Sequence, residues 1–137
     1  MMKRLFDFIT SLIGLIILSP IFIILSLLVK IYSEGSVFFI QERIGKNGKI
    51  FRMVKFRSMI VDQISNSTIS VKDDIRITKI GVFLRKYKLD ELPELWNVLM
   101  GDMSFVGPRP DVCGYADNLK GLDRKILELR PGITGVA

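Results

Sequence analysis

Two carboxylates stand side by side at Asp90 and Glu91, near the head of the stretch YKLDELPELWNVLMGDMSFVGPRP that runs from Tyr87 to Pro110. Paired carboxylates can act as acid and base, attack as nucleophiles or hold a hard cation. They serve equally well to start a helix. Asp90 is a favourable N-cap, Glu91 suits the first turn and Pro93 is tolerated there. Residue types elsewhere narrow the chemistry. The 137-residue chain has no histidine, which excludes zinc sites needing imidazole, Ser-His and Cys-His nucleophiles and a histidine base. Its one cysteine, Cys113, excludes an intrachain disulfide and, with no evident partner, reads as a packing residue. Catalysis here must rest on carboxylates, lysine, arginine, hydroxyls or a metal held by oxygen.

The length allows one domain to position these groups. Twenty Lys and Arg against fourteen Asp and Glu give a net charge of +6, and the isoelectric point is near 9.6. Such a balance favours anionic partners: lipid headgroups, phosphates or nucleic acid. Mean hydropathy is +0.36, high for a soluble domain, and the excess lies at the N-terminus. Phe8 to Val29, FITSLIGLIILSPIFIILSLLV, carries no charge. As one straight helix it would be about 33 Å long, enough to cross a bilayer core. Ser19-Pro20 interrupts it, because proline removes a backbone donor and clashes with the carbonyl four residues back. Each half is then about 16 Å long, too short to span alone. Lys3 and Arg4 precede the segment, and Lys30, Arg43, Lys46, Lys49, Arg52, Lys55 and Arg57 follow it. Positive charge resists translocation on both flanks. A kinked helix that enters and leaves one leaflet satisfies the break and the charges; a single span satisfies the length. Asp7, at the edge of the run, reads as an interfacial charge paired with Lys3 or Arg4.

Beyond the apolar segment, Val37–Arg43 and Ile50–Phe56 flank the turn signal Gly45-Lys46-Asn47-Gly48 and predict a β-hairpin. Residues 61–72 predict a loop, and Asp73-Asp74 a solvated turn. Ile77, Ile80, Phe83 and Leu84 recur at helical spacing and predict a short amphipathic helix over Asp74–Lys86. A second helix is expected over Glu91–Met100, stopped by Gly101. Trp96 on its apolar face reads as core or membrane-interface packing. Asp102–Pro110 reads as loop, with Pro108 and Pro110 fixing extended backbone around Arg109. Leu119–Leu129 predicts a third helix, and Arg130–Gly135 a turn-rich loop.

The ordered set LFDFITSLIGLIILSPIFIILSLLVK, VFFIQERIGKNGKIFRMVKFRSM, GVFLRKYKLDELPELWNVLMGDMSFVGPRP and LRPGITG resembles the bacterial sugar transferases, the small monotopic polyprenyl-phosphate phosphoglycosyl transferases. These pieces cover nearly the whole chain. The resemblance implies an α+β fold. Residues 1–33 would form a re-entrant membrane helix broken at Ser19-Pro20. Residues 34–137 would form a small catalytic domain on the cytoplasmic face of the bacterial inner membrane. It implies transfer of a sugar-1-phosphate from a nucleoside diphosphate sugar, usually a UDP-sugar, to undecaprenyl or another polyprenyl phosphate, with release of UMP. It also implies an Asp-Glu pair working with Mg²⁺: Asp90 as the nucleophile that carries a phosphosugar, Glu91 as a metal ligand.

Elementary chemistry is consistent with this. A carboxylate is ionised at neutral pH and competent at phosphorus, and a phosphate acceptor needs no general base. Arg109, held between two prolines, is the best candidate for a bidentate phosphate contact. Arg85, Lys55, Arg57 and Arg130 are further phosphate-binding candidates, although basic side chains near a membrane also meet lipid headgroups. Asp102 reads as a cap for the next turn. A nucleic-acid partner is not expected: the basic residues lack interleaved aromatics, and the apolar N-terminus has no place in such a protein. Family members continue past the RPGITG motif with further helix, so truncation is expected at Ala137. The alternative to an active enzyme is an inactive membrane-bound fragment or paralogue that binds only membrane or partners.

Overall fold

The computed structural model describes residues 1–60, 75–114 and 118–135. The readings of residues 61–72 and of Asp73-Asp74 lie outside them. A long helix α1 (Met2–Tyr32) leads into an antiparallel hairpin, β1 (Phe38–Ile44) and β2 (Ile50–Phe56). Helices α2 (Lys79–Lys86) and α3 (Glu94–Met100) follow, and short strands β3 (Ser104–Val106) and β4 (Gly132–Thr134) pair in parallel. The protein is thus a mixed helix and strand fold behind a long apolar helix.

The 31 residues of α1 correspond to about 46 Å of helix, and they are apolar enough to cross a membrane by length and composition. The helix passes through Ser19-Pro20 as one element, not as the two half-helices expected. Ser19 helps to explain this. Pro20 has no N–H for the Ile16 carbonyl, and the Ser19 hydroxyl donates to that carbonyl at 2.8 Å instead. One stripe of α1 is turned inward along its whole length: Arg4, Asp7, Ser11, Gly14, Leu18, Phe22, Leu25 and Val29 are buried or half-buried at spacings of three and four. The remaining surface exposes large aliphatic side chains such as Ile13, Ile16, Ile17 and Ile24.

The stripe meets the domain in an apolar cluster where Leu25 and Val29 pack on Phe56 of β2 and Leu84 of α2. A second cluster joins Phe51 and Met53 of β2 to Val98 of α3 and to Met103. The hairpin register pairs Phe38 with Phe56 and Ile44 with Ile50. Asn47, at φ 59°, and Gly48, at φ 73°, turn the chain between the strands.

Helix α2 starts later than the periodicity predicts. Thr78 caps it by accepting from the Gly81 N–H at 3.0 Å, while Ile77 forms a bridge with Met59. Gly81 lies so close to the Ser58 carbonyl that a Cβ would overlap it. The expected helix over Glu91–Met100 is divided. Leu89–Glu91 forms a 3-10 turn and α3 begins only after Pro93, because the bonds through this segment run i to i−3. Gly101, at φ 97°, ends α3 as predicted. Gly121–Glu128 forms 3-10 turns with no buried residue, not the α-helix expected. The segments read as loops at Asp102–Pro110 and Arg130–Gly135 contain β3 and β4. Three residues are too few to display a strand period. Cys113 is exposed, so its assignment as a packing residue is corrected. Asp7 forms no ion pair with Lys3 or Arg4 among the described residues: it is buried, and its carboxylate accepts from Ser104 and Phe105.

Candidate active site

Lys88 adopts a left-handed conformation, at φ 57°, and turns the chain from α2 into the Leu89–Glu91 turn. That turn carries Asp90 inward, where it is 9 % exposed. One carboxylate oxygen, Oδ1, is buried without a hydrogen-bond partner. Burial raises the Asp90 pKa above the usual carboxylate value, the neighbouring Glu91 charge raises it further, and Lys55 and Arg85 oppose both. Asp90 is therefore a poorly solvated carboxylate kept among cations.

Lys55 reaches across from β2 to the two neighbouring carboxylates. Its ammonium lies 3.3 Å from Glu91 Oε1 and 3.1 Å from Glu94 Oε1. Glu94, in the first turn of α3, is 4 % exposed. Burial raises its pKa, and Lys55 pulls it back. The position of Lys55 follows from strand alternation. Phe39, Gln41 and Arg43 share one face of the hairpin with their cross-strand partners Lys55, Met53 and Phe51.

Arg43, Lys55, Glu91, Glu94 and Arg109 line one cavity of about 240 Å³, closed on another side by Pro110 and by Gly132–Ile133 of β4. The hairpin, the turn before α3 and the proline-flanked loop each contribute a wall. Arg43 donates from Nη2 to Gln41 at 2.7 Å, while its buried Nε has no partner. Burial lowers the Arg43 pKa, and the Arg109 charge lowers it further. The cavity thus gathers two carboxylates bridged by Lys55 and two guanidiniums, Arg43 and Arg109. Like charges repel at short range, so the two guanidiniums are suited to an anion with several oxygens.

Of the residues singled out in the sequence, Lys55, Glu91, Arg109 and Pro110 meet at this cavity. Asp90 adjoins it through Glu91 and feels Lys55, but it is not one of the wall residues. Arg85 stands on the Asp90 side and donates to Ser58 Oγ and Met59 Sδ, both at 3.0 Å. Arg57 is buried against Gly35, with Nε and Nη2 unpartnered. Arg130 and Pro108 are not wall residues of this cavity, while Asp102 and Trp96 are exposed. Sequence reasoning missed Arg43 and Glu94. Arg43 was legible as the position two before the hairpin turn on the Lys55 face, and Glu94 as a carboxylate one helical turn beyond Asp90.

The donor chemistry suits a hard cation in one respect: Asp90, Glu91 and Glu94 offer only oxygen, and one Asp90 oxygen is unsatisfied. Among the described residues no three ligating side chains converge. Mg²⁺ is commonly held by one or two carboxylates with the remaining positions filled by water and substrate phosphate, so the residues fit that mode and not a protein-only cage.

A family profile describing bacterial sugar transferases matches residues 1–137. A Klebsiella pneumoniae protein named UDP-glucose:undecaprenyl-phosphate glucose-1-phosphate transferase is 45 % identical across 98 % of this chain and 30 % of its own length. An exopolysaccharide production protein, PSS, of Rhizobium leguminosarum bv. phaseoli is 43 % identical across 99 % of this chain and 72 % of its own. A UDP-N-acetylgalactosamine-undecaprenyl-phosphate N-acetylgalactosaminephosphotransferase of Aeromonas hydrophila is 39 % identical across 98 % and 33 %. The chain spans about a third of the first and last of these relatives.

Proposed function

The chain belongs to the bacterial sugar transferase family, and from that premise we propose that it moves a sugar-1-phosphate from a nucleoside diphosphate sugar to a polyprenyl phosphate. A UDP-sugar as donor and undecaprenyl phosphate as acceptor fit the names of the relatives. The observation that carries the reading is the Asp90 carboxylate, desolvated and with an unpartnered oxygen, beside a cavity furnished with Arg43, Lys55 and Arg109.

In this reading an Asp90 oxygen attacks the sugar-side phosphorus. The bond from that phosphorus to the bridging oxygen breaks, and UMP leaves with the electron pair. An oxygen of the polyprenyl phosphate then attacks the same phosphorus, freeing the Asp90 carboxylate and giving a polyprenyl diphosphate sugar. Both nucleophiles attack as anions, so neither step needs a histidine to take a proton at the moment of attack. Arg43 and Arg109 hold the nucleotide-side phosphate, while Lys55 lies toward the phosphoryl group in transfer. Arg85, Arg57 and Arg130 are weaker phosphate candidates by position. Mg²⁺ held by Glu91 and substrate oxygens would reduce the repulsion between a carboxylate and a diphosphate.

A lipid acceptor also accounts for α1, which would sit re-entrant in the cytoplasmic leaflet of the inner membrane, with the domain at headgroup level. The kink tendency at Ser19-Pro20 and the cationic flanks support that placement. The test is UMP release from a panel of UDP-sugars by the chain in nanodiscs containing undecaprenyl phosphate and Mg²⁺. Release with at least one donor is expected. Arg43→Ala and Arg109→Ala should each lower kcat/KM about 10- to 100-fold, the range of one charge-assisted bond. Absence of release with every donor would contradict the reading.

A further inference from the structure

Three charged side chains at the start of α1 turn into the domain. Asp7 is 2 % exposed; its Oδ2 accepts from Ser104 Oγ at 2.7 Å and its Oδ1 from the Phe105 N–H at 3.4 Å. Arg4 donates to the Val98 and Leu99 carbonyls at 2.5 and 2.7 Å, and Lys3 to the Val106 carbonyl at 2.8 Å. One end of the apolar helix therefore grips β3 and the last turn of α3.

Those two elements support two walls of the cavity. Helix α3 carries Glu94 in its first turn, so capping its final carbonyls fixes a helix of only seven residues at its far end. Strand β3 pairs with β4, whose Gly132 and Ile133 line the cavity, and it leads directly to Arg109 and Pro110. The Ser104 N–H donates to the Pro131 carbonyl at 2.9 Å, the Gly107 N–H to Thr134 at 3.0 Å and the Gly132 N–H to Pro108 at 2.8 Å. A buried carboxylate held only by neutral donors is costly. An apolar side chain in place of Asp7 would avoid that cost but would leave Ser104 and Phe105 without their acceptor.

We propose that Asp7 and Arg4 are positioning residues, through which the seating of the apolar helix sets the separation of Glu94 from Arg109. This inference rests on the transferase reading for its kinetic consequence but not for its structural one. A misplacement of about 1 Å can cost ~100-fold in rate with little effect on binding.

The test uses the full chain in nanodiscs, with Asp7→Leu, Asp7→Asn and Arg4→Met. In Asp7→Asn the side-chain carbonyl can accept from Phe105 while the amide donates to Ser104, so this variant keeps the grip without the charge. Expected for Asp7→Leu is a fall in kcat of about 30- to 100-fold with KM for the UDP-sugar within about twofold of wild type. Asp7→Asn should recover most of that loss, and Arg4→Met should lower kcat in the same sense. Amide exchange at Gly107 and Gly132, beyond the residues that Asp7 touches, should quicken in Asp7→Leu and return to wild type in Asp7→Asn. Unchanged exchange at these two amides, or quickened exchange with unchanged kcat, would overturn the proposal. If Asp7→Leu does not fold, Ser104→Ala, which deletes one partner of Asp7, carries the same comparison. If the wild type releases no UMP, the transferase reading fails and the exchange of Gly107 and Gly132 decides the positioning claim alone.

Discussion

At the scale of single residues, the candidate site buries the Asp90 carboxylate where a carboxylate is least comfortable. Burial and the charge of Glu91 raise the Asp90 pKa, so the folded protein holds that proton more tightly than the unfolded chain does. The stability gained from this is present below the ordinary carboxylate value and is lost as pH rises through the raised one. Asp90→Asn, which never ionises, should therefore be more stable to unfolding than wild type near neutral pH, by on the order of 0.5–2 kcal/mol. The difference should shrink toward about pH 4, the ordinary carboxylate range. Thermal unfolding of both proteins from there to about pH 8 measures it. In the proposed mechanism the same carboxylate must ionise to attack, so the rate of the first step should rise with pH through that raised pKa. From the residues alone the pair Asp90-Glu91 read equally as a helix cap or as chemistry, and only the family resemblance pointed to chemistry; the burial of Asp90 was not legible, because it depends on the left-handed turn at Lys88.

At the scale of elements, Asn97 joins the Lys55–Glu94 pair and the Val98 cluster in holding α3 to the hairpin. Asn97 is 2 % exposed. Its Oδ1 accepts from the Val54 N–H at 3.0 Å, and its Nδ2 donates to the Arg52 carbonyl at 2.7 Å. It thereby satisfies backbone groups of β2 that have no further strand beside them among the described residues. Asn97→Leu would bury both groups unpaired, at about 1–3 kcal/mol each. Chemical denaturation should show a loss of a few kcal/mol with the hairpin edge most affected. The hairpin, the cap at Gly101 and the amphipathic nature of α2 were legible because each has a local cause: a turn signal, a left-handed glycine, a repeat of apolar positions. The β3–β4 pair and the late start of α3 were not. Their causes are a contact distant in sequence, Ser104 with Gly132, and a proline that redirects hydrogen bonds. Asn97 likewise gave no sign in the sequence of bonding across to β2.

At the scale of the whole molecule, the exposed apolar surface has to be covered. Most of α1 is exposed hydrocarbon, and Phe83 and Tyr87 at α2 and Trp96 and Met100 on α3 add to it. Exposed apolar surface of this extent marks a surface for membrane or protein, and a net charge of +6 favours an anionic bilayer. Trp96, the single tryptophan, is 51 % exposed and reports on this directly. In nanodiscs its emission should be quenched by brominated acyl chains, and unquenched emission would place α3 away from the lipid. The apolar segment and its charged flanks were legible at once. That one stripe of it would pack on the domain from Arg4 to Val29 was not, since Asp7 looked like a surface charge and proved to be buried.

The most direct measurement of the central claim is the intact mass of the chain incubated with Mg²⁺ and each UDP-sugar in the absence of lipid acceptor. A gain equal to one sugar phosphate is expected with at least one donor, absent in Asp90→Asn and discharged when undecaprenyl phosphate is added. A chain that releases UMP in the presence of acceptor yet never gains mass, or that gains it equally in Asp90→Asn, would contradict the assignment of Asp90 as the nucleophile.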